Sequence, residues 1–279
     1  MGNLLGVYPA RKGVLIGMVI CGTVIALIGL LILAFAWQVA SGAISYRGSG
    51  NPLVLLGSIG GVVLLGGVVF VYLPIAHKPR YYFELHDDGI VVKRNKGGDV
   101  SLRFAEIEDV LHYGAMFTSD EGFRTSHLSF RKNSASEWFT ISPQYVDHFD
   151  LMNRFGELHI EQRGGVLFDG WEKTGAPIAI QYVSVPALVK KELWAPTLAS
   201  YLASYATAKT LQLARDHIQI EGKRIDFDRD DKVEVGGALT DKIYLKDSKG
   251  EEKFSIHYGA VLSADVFVAL LSSRLEDAA

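Results

Sequence analysis

By type and spacing, the residues best suited to bind an anion are Lys93, Arg94 and Lys96 in "KRNKGG", with Arg131 and Lys132 on another loop. Facing a bilayer, each such cation would gain about 1 kcal/mol from anionic lipid. Asp87, Asp88 and Asp99 are interspersed with them. The residues therefore fit a headgroup or anion site, and equally an ordinary solvated hairpin. Other chemistry finds less support. "DFDRDD" at 226–231 has the acidic density of a calcium loop, but its sixth position is Asp231, not glycine, and its twelfth is Gly237, not glutamate. None of the eight histidines sits in H-E-x-x-H, and no G-x-S-x-G elbow occurs. "GWEKTG" has a Lys-Thr pair without the glycine spacing of a phosphate loop. Cys21 is the only cysteine, so neither an intramolecular disulfide nor a cysteine zinc site can form. The expectation is a protein that is not an enzyme and carries no metal or cofactor.

The glycine-rich run "GSIGGVVLLGGVVF", Gly57 to Phe70, is the other stretch that could cradle a phosphate. It matches neither phosphate-binding glycine pattern, and no lysine follows it. Gly57 and Gly61 fall four apart, on one face of a helix, as do Gly22 and Ala26 in an earlier apolar run. Small residues at that spacing let another helix approach closely. They predict packing between two helices of this chain, or homo-oligomerisation through the glycine face.

These residues belong to two different polymers joined end to end. Before His77 the only charged side chains are Arg11, Lys12 and Arg47, while the remainder carries 25 of the 28 basic residues and all 31 acidic ones, a net charge of −6. Such a balance gives no support to nucleic-acid binding. Residues 13–40 and 53–76 are free of charge, and each exceeds the ~20 residues that cross a bilayer. The first run is also longer than the ~7–15 apolar residues of a signal peptide. A transmembrane hairpin over 13–76 follows, turning through "SGAISYRGSGNP", with Trp37, Tyr46 and Tyr72 near the span ends. Arg11 and Lys12 precede the first span, and His77, Lys78 and Arg80 follow the second. The positive-inside rule therefore places both termini, including a tail of residues 1–12, in the cytoplasm; a bacterial inner membrane fits this layout.

After Pro79 the apolar residues alternate as in strands. "YYFELHDDGIVVKR" reads as a hairpin around Asp88-Gly89, "DVSLRFAEIEDVLHY" as a third strand, and "HLSFRKNSASEWFTI" as a hairpin turning at Asn133-Ser134. Residues 145–163 read as a helix that Gly164 ends. The C-terminal stretch repeats this order. Leu211, Leu213, Ile218 and Ile220 stand where Phe83, Leu85, Ile90 and Val92 stood, and "KIYLKDSKGEEKFSI" matches "HLSFRKNSASEWFTI" at identical length. Matching order, apolar phase and hairpin length indicate a duplicated unit.

The order of elements resembles bacterial pleckstrin-homology-like (PH-like) and GRAM-like domains, through the hairpins "HDDGIVV" and "RDHIQI", the strand endings "AEIEDV" and "DDKVEV", and a closing helix. The resemblance implies an α+β chain: a membrane α-hairpin, then PH-like domains at 77–164 and 209–279, each a bent antiparallel sheet plugged by a helix. It also implies binding of lipid headgroups, peptides or protein partners, and rarely catalysis. The second copy departs at His217, which stands where the first has Gly89. Between the domains, 165–208 predicts an exposed loop, "GGVLFDGWEKTGAP", and helical stretches starting near Ser184 and after Pro196. These stretches would pack on a sheet, or lie on the bilayer with Lys190 and Lys191 at the headgroups. The function expected is that of a membrane-anchored scaffold engaging a protein partner or inner-leaflet lipid. The alternatives are a membrane-resident immunity protein that neutralises a toxin, and a lipid-responsive regulator of a membrane complex.

Overall fold

The structure, a computed structural model, describes residues 1–45, 51–76, 80–118, 122–183, 205, 208–236 and 242–277. Ala10–Arg80 form one compact unit; Met1–Pro9 and Tyr81–Ala279 form the other. Lys78, the turn residues Tyr46 and Arg47, and the helical stretches expected over 184–204 lie outside the described residues.

The first unit holds two apolar helices, α1 (Lys12–Ala40, 29 residues) and α2 (Pro52–Ala76, 25 residues). At 1.5 Å per residue these are ~43 and ~38 Å long, enough to cross a ~30 Å hydrocarbon core. Leu31, Trp37, Val62, Leu65 and Tyr72 are 65–70% exposed on their surfaces. That much contiguous apolar surface calls for an apolar solvent. The hydroxyl of Thr23 donates to the Val19 carbonyl at 2.8 Å, and that of Ser58 to Val54. Such internal pairing suits polar groups surrounded by hydrocarbon.

The helices meet along a seam of small residues. A Cβ added at Gly67 would collide with the backbone of Ala26 and Gly22, and one at Gly22 would come within 2.9 Å of the Gly67 carbonyl oxygen. Gly29 lies against the Leu64 backbone and Gly60 against Leu33. Gly57 and Gly61 lie off this seam: a Cβ at either meets nothing within 4 Å, so packing within the chain does not use them and the homo-oligomer alternative is untouched. Four-residue spacing tells which residues share a face, not which face the partner helix takes. Here the partner takes Gly60 and Gly67, two turns apart.

In the second unit the alternation of Phe83 and Leu85 with half-buried neighbours forms β2 (Tyr81–His86). It pairs with β3 (Gly89–Arg94) across the Asp88-Gly89 turn. On its other side lies β1 (Leu4–Tyr8), antiparallel, with Tyr8 opposite Phe83. The expected tail thus contains an edge strand, and α1 and α2 are inserted between two neighbours of one sheet. The expected third strand is two, β4 (Val100–Arg103) and β5 (Asp109–Thr118), because a 3-10 turn at Phe104–Glu106 drives Phe104 into the core. Strands β1–β4 make one sheet. Strands β5, β6 (Gly122–Arg131) and β7 (Phe139–Ile141) make a second, followed by α3 (His148–His159).

The plan recurs. Strands β8 (Ile178–Tyr182), β9 (Lys209–Leu213), β10 (His217–Ile220) and β11 (Lys223–Asp226) form a four-stranded sheet. Strands β12 (Lys232–Gly236), β13 (Lys242–Lys246) and β14 (Glu252–His257) form a three-stranded one. Helix α5 (Ala264–Asp277) follows.

Registers coincide between copies. Leu85 faces Ile90 as Leu213 faces Ile218, and Tyr8 faces Phe83 as Ile180 faces Leu211. Each closing helix follows a left-handed residue, Asp147 (φ 49) or Ser263 (φ 53), whose carbonyl accepts an N–H from Leu151 or Phe267 at 3.0 Å. Each repeat buries its own core, with Phe83, Phe104, Leu128 and Phe155 in the first and Leu211, Ile243, Phe267 and Leu271 in the second.

The stretch expected as an exposed loop is helical. From α3 the chain runs through a π-helical turn, Ile160–Gly164, into α4 (Gly165–Thr174). Gly164 and Gly165 keep helical φ of −58, and the helix stops at Gly175, where φ reaches 67 and the N–H returns to the Trp171 carbonyl at 2.8 Å. Two helical glycines cost about 2 kcal/mol together. Burying Trp171 to 2% exposure in the second core offsets this.

Candidate functional site

The five basic residues singled out for anion binding occupy two hairpins of the first repeat, and four of them already have carboxylate partners. Lys93 Nζ lies 2.9 Å from Asp99 and 3.4 Å from Glu84, which hold its ammonium above the ordinary lysine range. Arg94 pairs with Glu137 and lies 5.5 Å from the centre of the Phe139 ring. Arg131 grips Asp109 through Nε at 2.6 Å and Nη2 at 2.5 Å, and stacks over Trp138 at 4.5 Å. Lys132 reaches Glu106 at 3.1 Å. Lys96 is exposed and has no ion-pair partner among the described residues. The sequence shows these cations and Asp99 beside them, but not the pairing of Glu84, Glu137, Asp109 and Glu106, which come from other strands and loops. Of the membrane-flanking cations, Arg11 is half-buried, while Lys12 and Arg80 are exposed.

The acidic clusters are likewise answered from within. Asp216, His217 and Asp226 come close enough to share a cation, but Arg224 reaches Asp216 and Asp226 at 2.6 Å each, and His217 Nδ1 lies 2.7 Å from Asp216. In "DFDRDD", Lys253 Nζ sits 2.7 Å from both Asp228 and Asp231.

The feature that sequence reading missed is a cleft of about 510 Å³ between the repeats. Equivalent positions of the two copies line it. His112 and Val235 lie two residues beyond Val110 and Val233, the matching core residues of β5 and β12; Phe149 and Asp265 lie two residues beyond the left-handed Asp147 and Ser263; Met152 and Val268 follow three residues later. At the base of the cleft His112 Nε2 lies 2.9 Å from Asp265 Oδ2. Burial acts to raise the Asp265 pKa, but the His112 ring, by its electrostatic attraction and hydrogen bond, holds it below the usual carboxylate range. Nearby, His159 is buried, donates Nε2–H to the Ile107 carbonyl at 3.0 Å, and has its pKa pushed down to about 4 by desolvation.

The repeats are hydrogen-bonded directly to each other beside the cleft. Ser263 N–H donates to the Val110 carbonyl at 2.7 Å, while its Oγ accepts Val110 N–H at 3.1 Å and donates to the Glu108 carbonyl at 2.9 Å. Val183 N–H reaches the Ala260 carbonyl at 2.9 Å, and Leu111, Tyr113, Val183, Ala260 and Leu262 form a small apolar cluster there. His112 and Asp265 are separated by 153 residues, so no local motif could have paired them.

Compared with family models, curated proteins and solved structures, the chain matches none.

Proposed function

We propose that this chain is a membrane-anchored, non-enzymatic binding protein whose two PH-like repeats engage a protein partner at the cytoplasmic face of a membrane. The observation that carries this reading is the insertion of α1 and α2 between the paired strands β1 and β2. Two spans return the chain to the side it left, which is what pairing of Leu4–Tyr8 with Tyr81–His86 requires. The flanking Arg11, Lys12 and Arg80 favour the cytoplasm for that side, and a bacterial inner membrane suits the arrangement. Four strands, three strands and a closing helix, twice over, support the PH-like reading of the repeats. A protein partner is favoured over a lipid headgroup because Lys93, Arg94, Arg131 and Lys132 are already held by carboxylates. A cleft lined by Phe149, Met152, Val235 and Val268 together with polar side chains, by contrast, lies open between the repeats.

Affinity purification of the full chain in mild detergent tests the reading. A protein recovered in constant ratio to the chain, and absent from a control carrying the α1–α2 hairpin alone, is the expected result. Recovery of the chain by itself, even after cross-linking in native membranes, would overturn it.

A further inference from the structure

Residues 1–10 hold no charged side chain, and Leu4, Leu5 and Val7 of β1 are 54, 42 and 50% exposed. Strand β1 is the edge of its sheet and pairs only with β2 among the described residues. Its outer side is met at its end, where Val146 N–H donates to the Pro9 carbonyl at 3.0 Å. Alternation turns the N–H and C=O of Val7 to that same side, where none of the described residues bonds them. The second repeat closes the end of β8 in the same way, with Leu262 N–H donating to the Gln181 carbonyl at 2.9 Å. Farther along, the two edges differ. Gly6 faces Leu85 as Ile178 faces Leu213, so Val7 corresponds to Ala179, and Leu4 and Leu5, at a register shift, take the place of Pro177. Proline at an edge discourages pairing with a further strand. The first repeat has leucines there.

We infer that two copies of this chain pair through the outer edge of β1, each β1 running antiparallel to the other, so that their four-stranded sheets join edge to edge. A two-fold axis makes such a pair from identical strands, and two copies inserted in one membrane with the same orientation can be related by that axis. A lipid surface would take up the leucines and the valine but leave the outward N–H and C=O of Val7 unbonded. A second strand takes up both. A foreign strand would need a charge or polar group to select it, and this edge supplies none. The same stretch of a second copy brings Leu4, Leu5 and Val7 alongside their like, where apolar cross-strand pairs stabilise. This pairing uses neither the cleft between the repeats nor the open glycines of α2, and it stands whether or not a different protein binds.

The mass of the full chain in mild detergent, read by light scattering over a concentration series, tests it, with short bis-maleimide cross-linking in native membranes as a second readout. Wild type should reach the mass of a dimer, and Leu5→Cys in a Cys21→Ser background should cross-link to its own kind. Val7→Lys, which brings like charges together across the pair, should weaken the dimer about tenfold or more. Ala179→Lys, the equivalent change on β8, should leave it intact. Both positions are exposed, so unchanged thermal midpoints separate lost pairing from lost folding. A dimer that either readout detects and Val7→Lys weakens is the expected result. A chain that stays monomeric by both readouts would overturn the pairing, as would a dimer that survives Val7→Lys. A dimer that persists in Val7→Lys and is lost in Gly57→Leu would move the contact to α2.

Discussion

His159 shows how a single side chain couples this fold to pH. Its ring is buried, and desolvation brings its pKa down to about 4 from the ordinary 6.5. Between these values the unfolded chain binds a proton that the folded chain refuses, so stability falls as pH drops through the window and is flat above it. The shift corresponds to about 3 kcal/mol. The denaturant midpoint of the full chain in detergent should hold from pH 8 to 7 and fall steadily from pH 6.5 towards 4. His159→Gln, which keeps a donor for the Ile107 carbonyl, should flatten that decline; an equally steep decline in the variant would assign it to other groups. Residue types were legible in the sequence where their partners are local. The Asp88-Gly89 turn is one case: a Cβ at Gly89 would strike the Leu102 carbonyl oxygen. The partners of Arg94 and Arg131, Glu137 and Asp109, were not legible, because ion pairing across strands depends on a register that residue type does not encode.

Among the elements, the apolar helices and most strands follow directly from period and charge. The α1–α2 seam does not, since the hairpin's apolar surface is nearly uniform and any face could pack. Gly67→Leu should therefore separate the helices, whereas Gly57→Leu and Gly61→Leu should leave the hairpin packed. Disulfide trapping between substituted cysteines on α1 and α2, in a Cys21→Ser background, reads the difference; equal trapping in all three variants would contradict the assigned seam. Helix α4 was hidden for another reason. Paired glycines at 164 and 165 end helices in most sequences, and only burial of Trp171 in the distant second core carries this one through. Trp171→Ala should cost about 3–5 kcal/mol and loosen the second repeat first, so that hydrogen exchange rises in β9 and β10 before β2 and β3. Uniform loosening of both repeats would show that α4 serves them equally.

For the whole molecule, the decisive fact is that one duplicated unit carries two helices long and apolar enough to span a membrane in the connection between its first two strands. The repeat was visible from residue 80 onward because apolar phase and hairpin length recur there. Its first strands were not. Strand β1 is separated from β2 by the entire hairpin, and β8 from β9 by residues 183–208, so neither has the local alternation partner that reveals a strand. The insertion fixes a consequence for topology: whatever side holds β1 must hold both repeats. Single-cysteine labelling in intact cells with a membrane-impermeant maleimide, in a Cys21→Ser background, tests this most directly. Ser41→Cys, at the far end of α1, should label from outside, and Val7→Cys and Val235→Cys only after permeabilisation. Labelling of Val7→Cys and Val235→Cys from opposite sides, or of both from outside, would contradict the account.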